Sequence, residues 1–422
     1  MRLNIFVLGL DELNLETLQG IPHLAHYRFR PLLSVDELLY ADEIRLDDLL
    51  SKARGQLESF DGSIDAIVGY WDFPVSSMLP ILCAQFGLRS PTLEAVVKCE
   101  HKYWSRLEQQ KVIDEYPRFA LVDLERPEVP PGLRFPLWLK PVKSVAAEYA
   151  MRVEDAAGLR EAVAVIGEGV GHLGKPFDDV LSRLELPPEI ARAGGQACLA
   201  EEALEGMQVT VEGYSLDGEV HVYGVVDSVR LPGSPSFLRY QYPSTLPARV
   251  VDRMVDITGR VIRQLGLDGT PFNVEFFWDA GRDTVSVLEV NPRHSQSHAR
   301  LFADVDGVPN HQCMVSLALG QDPNLPHREG RYNVAAKWFL RRFTDGVVRR
   351  SPTPEETAHV EHQVPGVAVK VVAHEDRRLS EAQRQDSYSY ELAHIYVGAG
   401  EERELSAKYE RVVEALPFEF DD

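Results

Sequence analysis

The stretch Asn273–Arg293 (NVEFFWDAGRDTVSVLEVNPR) constrains the fold of this chain more than any other. Two apolar runs, Asn273–Trp278 and Thr284–Val290, flank the turn-forming residues Asp279-Ala280-Gly281-Arg282-Asp283, so the spacing predicts a β-hairpin. Each run carries a glutamate among apolar neighbours: Glu275 between Val274 and Phe276, Glu289 between Leu288 and Val290. Side chains alternate along a strand, so Glu289 and Asn291 emerge on one face, and Glu275 of the partner strand can be brought beside them. An ionised carboxylate in such a setting costs several kcal/mol unless positive charge compensates it. Two carboxylates and an amide oxygen are hard ligands that suit Mg²⁺, with phosphate oxygens and water completing the shell. Arg293 follows at once and offers a planar fork to the same phosphates.

At 422 residues the chain exceeds what one hydrophobic core usually serves, and two or three packed domains are expected. Its formal charge of −21 excludes duplex nucleic acid and anionic membrane surfaces as partners, since both repel a net anion. The N-terminal apolar run, closed by Asp11 and Glu12, is too short for a membrane span and reads as a first buried strand. Cys83, Cys99, Cys198 and Cys313 form no CxxC pair, which suits a reduced, cytoplasmic setting.

Residues 1–98 alternate strand-like and helix-like pieces, and an open parallel α/β domain is expected there. Ile5–Leu8 and Ala66–Tyr70 read as buried strands, and Pro74–Phe86 as a helix ending at Gly87. No GxGxxG motif follows either strand. A single helix is predicted over residues 93–111, with Lys102 near its middle. Strands follow at Arg118–Asp123, Phe135–Val142 and Glu148–Val153, then a helix from Glu154–Asp155 to Gly167. Residues 169–195, rich in Gly, Pro and charge, read as a mobile loop with one short helix. Strands resume at Gln196–Glu202, Met207–Tyr214 and Glu219–Val229, the last two joined by a Leu216-Asp217-Gly218 turn. Apolar spacing of three and four marks a helix over Ala248–Gln264, and strands recur near Val334–Arg341 and Ala368–Val372.

The hairpin resembles the ATP-grasp superfamily, in which a Glu on one strand and an E-x-N-x-R segment on the next hold two Mg²⁺ ions against ATP; VEFFW and LEVNPR are the matching segments. The resemblance extends upstream in order. Lys102 (KCEHKYW) and Lys140 (FPLWLKP) match the family's two nucleotide-contacting lysines. In AEEALEGMQ, Glu201 matches the acceptor of the adenine amino group, Glu202 and Leu204 the linker whose backbone meets the adenine edge, and Gln208 the residue on the ribose. Two departures stand out. Gln208 replaces the usual Glu, and the glycine-rich flap after the second lysine reads Lys143-Ser144-Val145-Ala146-Ala147-Glu148, with Ser144 as a phosphate-side candidate.

The resemblance implies an α/β N-terminal domain (1–98), an α+β nucleotide-binding region (99–325) with a mobile lobe at about 115–205, and a C-terminal subdomain (326–422) completing the fold. It implies ATP and Mg²⁺, with Mn²⁺ as an alternative ion. The implied enzyme is a ligase that activates a carboxylate as an acyl phosphate and joins it to an amine, Lys140 and Arg293 neutralising charge. Small-molecule substrates are expected as partners, and a homodimer is the expected assembly. His294 and His298 stand i, i+4, but no third zinc ligand follows nearby. Ser295, Ser297 and His298, with Arg230 and Arg239 of VRLPGSPSFLRYQY, are the candidate substrate contacts. Two other readings stay open: a biotin-carboxylase-like activator of bicarbonate, and an ATP-binding protein without turnover.

Overall fold

The computed structural model describes residues 2–41, 43–145, 147–234, 236–381 and 388–421. β1 (Leu3–Leu8), β2 (Tyr27–Leu32) and β3 (Ala66–Val68) form a parallel sheet in the order β2-β1-β3, as the alternation of strand and helix predicts. Phe6 and Leu8 pack with the helices Leu46–Glu58 and Val75–Phe86 on one face. Ile5 and Val7 pack on the other against Met314 and Val315 of the helix His311–Ala318. A parallel sheet needs cover on both faces. Here the second cover comes from a distant stretch of chain, which fixes the N-terminal sheet to the rest.

β4 (Phe119–Val122), β5 (Leu137–Pro141), β6 (Met151–Val153) and β7 (Cys198–Glu202) make an antiparallel sheet in the order β4-β7-β5-β6. Leu159, Val163 and Ile166 of the helix Ala156–Gly169 cover it, and Asp155 caps that helix through the N–H groups of Ala157 and Gly158.

The chain continues through β8 (Met207–Leu216), β9 (Glu219–Arg230), β10 (Phe237–Tyr242), β11 (Thr270–Asp279) and β12 (Thr284–Asn291). It ends with β13 (Val334–Arg342), β14 (Val347–Arg350), β15 (Val367–Val371), β16 (Tyr390–Ala399) and β17 (Glu419–Asp421). Eight of these build one large sheet, β12-β11-β8-β9-β10-β13-β16-β15, while β14 and β17 pair separately. The C-terminal strands therefore extend the sheet that carries the hairpin. β8 turns into β9 at Asp217 (φ 53°) and Gly218 (φ 82°), the left-handed pair that a two-residue hairpin requires.

The amphipathic helix Ala248–Leu265 decides which face of the large sheet is apolar and which polar. Its Val250, Met254, Ile257, Val261 and Ile262 pack on Val209, Val211, Val274 and Phe276. Strand alternation then sends Gln208, Thr210, Glu212, Asn273 and Glu275 to the opposite face.

Two predicted elements differ. The helix expected over 93–111 is two helices, Leu93–Glu100 and Lys102–Gln109, broken at His101 (φ −82°, ψ 95°). The ring of His101 accepts from the Trp104 N–H, so it caps the second helix, and Lys102 opens that helix instead of lying mid-way along one. The loop expected over 169–195 contains two helices, Gly171–Leu181 and Pro188–Ala193. Leu173, Phe177, Val180 and Leu181 sit at helical spacing and join the N-terminal core. Gly174 serves close packing there, since a Cβ would lie 2.7 Å from the Gly195 carbonyl oxygen. Among the flap residues, Ala146 lies outside the described residues.

Candidate active site

β11 and β12 pair antiparallel with Glu275 directly opposite Glu289 and Asn273 opposite Asn291. Directly opposed residues share a face, so the two carboxylates stand side by side on the polar face of the sheet. Burial and the adjacent Glu289 charge push the Glu275 carboxyl up to about 7. At Glu289 burial also opposes ionisation, but Lys102 and Lys140 outweigh it and hold this carboxyl below its usual range. Lys102 Nζ lies 3.0 Å from Glu289 Oε1 and donates to the Ser144 carbonyl at 3.0 Å. Asn291 Nδ2 donates to Asn273 Oδ1 at 2.9 Å and lies 3.4 Å from Glu275 Oε1, which leaves its oxygen as the ligand atom.

Gln208 bridges the acidic pair to Arg230. Its Nε2 donates to Glu275 Oε2 at 2.8 Å, and its Oε1 accepts from Arg230 at 2.5 Å. The Arg230 guanidinium lies over the Phe277 ring, 5.1 Å from its centroid. Gln208 and Arg230 thus belong to the surroundings of the carboxylate pair.

Glu201, on β7, is buried and takes a cation on each oxygen: Arg106 Nε at 2.6 Å and Lys140 Nζ at 2.6 Å. Burial opposes its charge, but the two cations prevail and hold its pKa near 2. Burial lowers the pKa of Lys140 although Glu201 opposes this. Arg106 also donates to the Leu288 carbonyl at 2.7 Å, tying the small sheet to β12 beside Glu289. Sequence reasoning missed Arg106, although it lies four residues after Lys102 and so on the same helical face. Glu202 Oε1 accepts from the Arg134 N–H at 3.1 Å, and Leu204 stands half-buried in the connection from β7 to β8.

Arg293 Nε donates to Asp72 Oδ1 at 2.6 Å. Asp72 comes from the loop after β3, at the carboxyl edge of the N-terminal parallel sheet, where ligands of open α/β sheets collect. It was also missed, and that edge was the available signal. Burial and its Asp72 partner act in opposite senses on Arg293, and the net effect raises its pKa. Nearby, Lys143 Nζ pairs with buried Glu100 at 3.2 Å, and Glu100 accepts from Ser76 and Ser77.

Beyond Arg293, His298 Nδ1 lies 2.6 Å from Glu212 Oε1, which also accepts from the Ser295 N–H at 3.2 Å. Ser297 Oγ accepts from Lys337 at 3.3 Å. Arg239 is not brought into this group. Its neighbour Tyr240 faces His298, and Arg239 points the other way, over Trp338 and 3.2 Å from Glu402. His294 packs against the His311 ring at 4.6 Å rather than pairing with His298.

Among the described residues no three His, Cys, Asp or Glu side chains form a cage of their own. Glu275, Glu289 and Asn291 fit a hard divalent cation whose remaining ligands are phosphate and water oxygens. The upward shift of Glu275 fits the same reading, because a cation there would replace its proton.

Residues 242–326, which include the whole hairpin, match the family described as carbamoyl-phosphate synthase L chain, ATP binding domain. The whole chain superposes on the L-amino acid ligase from Bacillus licheniformis with a TM-score of 0.75 at 16% identity, covering 100% of this chain and 99% of that one. Its fold is the ATP-grasp fold. The ATP-grasp likeness extends to N5-carboxyaminoimidazole synthase from Aspergillus clavatus in complex with ADP and 5-aminoimidazole ribonucleotide (TM-score 0.68, 14% identity, 98% of each chain). Biotin carboxylase from Campylobacter jejuni gives a TM-score of 0.68 at 15% identity, over 99% of this chain and 92% of that one. In sequence, the chain is 26% identical over 342 residues to uncharacterized protein y4rH from Sinorhizobium fredii, which covers 75% of this chain and 63% of that protein. It is 28% identical over 237 residues to the carbamoyl phosphate synthase large chain of a Thermoanaerobacter species, covering 50% of this chain and 21% of that one. The chain thus spans under two thirds of the first relative's length and about a fifth of the second's. No helix among the described residues is long and apolar enough to cross a membrane.

Proposed function

We propose that this protein uses ATP to activate a carboxylate as an acyl phosphate and joins it to an amine, releasing ADP and phosphate. The observation that carries the reading is the opposed pair Glu275 and Glu289, with Asn291 alongside and Lys102 and Lys140 behind it. Glu275, Glu289 and Asn291 would hold Mg²⁺, or Mn²⁺ in its place, and the ion's charge would align the triphosphate and spread the charge of the transferred phosphoryl group.

The protein's own groups then act mainly by position. Glu201 fixes Lys140 at the end of β5, so its ammonium is preset for phosphate oxygens. Glu201 has one cation on each oxygen and lone pairs left to accept from the adenine amino group, while the backbone around Glu202 and Leu204 meets the adenine edge. Lys102, now on Glu289 and the Ser144 carbonyl, is the second phosphate cation. Asp72 orients the fork of Arg293, which would meet the reacting carboxylate and the γ-phosphate. A carboxylate oxygen attacks the γ-phosphorus, and ADP leaves with the electron pair of the broken P–O bond. The amine nitrogen then attacks the acyl carbon, phosphate leaves, and the nitrogen gives up a proton. Closure of the lobe at 115–205 would keep water from the acyl phosphate. Ser295, Ser297, His298 and Arg230 form the substrate side.

Phosphate release tests this. It is expected only when ATP, Mg²⁺, a carboxylic acid and an amine are all present, and Glu289→Gln is expected to lower it by about 1,000-fold. Release that needs only bicarbonate would move the reading to a bicarbonate activator. Tight ATP binding without release for any acceptor pair would make it an ATP-binding protein without turnover.

A further inference from the structure

Lys337 lies on β13 in the run Ala335-Ala336-Lys337-Trp338-Phe339 and is 4% exposed. Among the described residues its ammonium meets one polar atom, Ser297 Oγ at 3.3 Å, and otherwise the faces of Phe339 and Tyr396. Among the described residues no carboxylate is paired with it. Glu391, the acid that acts on it from β16, gives its oxygens to Arg341 and His394, at 2.8 and 2.6 Å. A buried ammonium without a counter-ion costs several kcal/mol, so the fold keeps it there at a loss unless something else brings the negative charge.

Its position shows what that is. Cross-strand pairing runs Gln208–Ser228, Ser228–Tyr240 and Tyr240–Lys337, one continuous row on the polar face of the large sheet. The row begins at Gln208, which is bonded to Glu275. Lys337 stands four strands from β11, roughly 19 Å along the sheet at ~4.8 Å per strand. That is too far to reach the phosphoryl group being transferred, yet on the same face and against Ser297 of the loop after Arg293.

We propose that Lys337, with Ser297, anchors a second anionic group, a carboxylate or phosphate carried by the substrates at the end remote from the carboxyl group being activated. This rests on the ligase reading for the location of the reacting end. The row of side chains between Gln208 and Lys337 forms the floor over which the substrates lie, with Tyr240 midway. Tyr240 packs edge-on against His298 at 4.8 Å and against Phe339 at 5.1 Å, the ring over which the ammonium lies. Burial lowers the pKa of Lys337 to about 8, against the pull of Glu391 and assisted by Lys370 and Arg341. Among the described residues Tyr240, Tyr396 and His394 are the remaining titratable groups that face it, and a bound anion would keep it protonated.

The test compares substrates with and without the second anion. Once a pair that supports phosphate release is found, its donor and its acceptor are each replaced by the amide or dephosphorylated analogue, and KM is measured for wild type, Lys337→Met and Lys337→Arg. The wild type is expected to lose about 10- to 100-fold in KM when the relevant anion is removed. Which analogue shows the loss tells whether donor or acceptor carries the group. Lys337→Met is expected to equalise the acid and its analogue, with KM for ATP unchanged, while Lys337→Arg keeps part of the difference. Wild-type discrimination that survives in Lys337→Met, or no discrimination in the wild type, overturns the anchor and leaves the ligase reading standing. Calorimetry with the MgADP-loaded protein reads the same comparison as Kd for amino acids, dicarboxylic acids and their amides. If no pair releases phosphate, the ligase reading falls. Equal Kd for acid and amide throughout that set then overturns the anchor as well, and a Lys337-dependent preference for the acid supports it.

Discussion

Glu201 holds two cations at once and is the residue on which the small sheet, the helix Lys102–Gln109 and β12 converge through Arg106 and Lys140. Its pKa lies near 2 in the folded protein against 4.5 for an ordinary Glu, so its contribution to stability is fully present above 4.5 and is lost as pH falls towards 2. Glu201→Gln is therefore expected to cost about 3–5 kcal/mol at pH 7, because it strands two buried cations, and to flatten the acid limb of the stability curve. Urea unfolding between pH 2 and 7 measures both; an unchanged acid limb would remove Glu201 from this role. At this scale the sequence was informative wherever a charge interrupts an apolar strand. Glu275, Glu289 and Lys140 were legible for that reason. Lys337 carries the same signal in Ala335–Phe339 and was passed over because no motif flags it. Asp72 was not legible as the partner of Arg293, since the two are 221 residues apart and only the packed domains choose the pairing.

The hairpin and the helix Ala248–Leu265 followed from periodicity, because one face of each is buried along its length. Ile5–Leu8 and Ala66–Tyr70 followed as short apolar runs buried on both faces, whereas Tyr27–Leu32, with its exposed Arg28, did not show. The misread stretch, residues 171–181, contains Gly and Pro yet folds as a helix, since tertiary burial of Leu173, Phe177 and Leu181 outweighs local propensity. Phe177 sits edge-on to Phe73 at 5.5 Å, and Lys143 lies over both rings. Phe177→Ala is expected to destabilise the protein by about 3–5 kcal/mol in urea unfolding. A loss below about 1 kcal/mol would mean that this helix does not hold the lobe to the N-terminal domain. The break at His101 escaped notice because a capping histidine leaves apolar spacing intact on both sides.

Across the whole molecule, three sheets bring the candidate site's side chains to one place. The parallel sheet contributes Asp72, the small sheet Lys140 and Glu201, and the large sheet Glu275, Glu289 and Gln208. A chain with a formal charge of −21 gathers at this junction five cationic side chains, Lys102, Arg106, Lys140, Arg230 and Arg293, around a pair of glutamates. That local reversal is what a polyphosphate with its cation requires. The direct measurement is the structure of the protein with Mn²⁺ and a non-hydrolysable ATP analogue, the ion located by its anomalous scattering. Carboxylate oxygens of Glu275 and Glu289 are expected within about 2.3 Å of the ion or ions, with phosphate oxygens in the same shell. A bound nucleotide whose cation is held elsewhere, with the two glutamates apart and uncoordinated, would contradict the account.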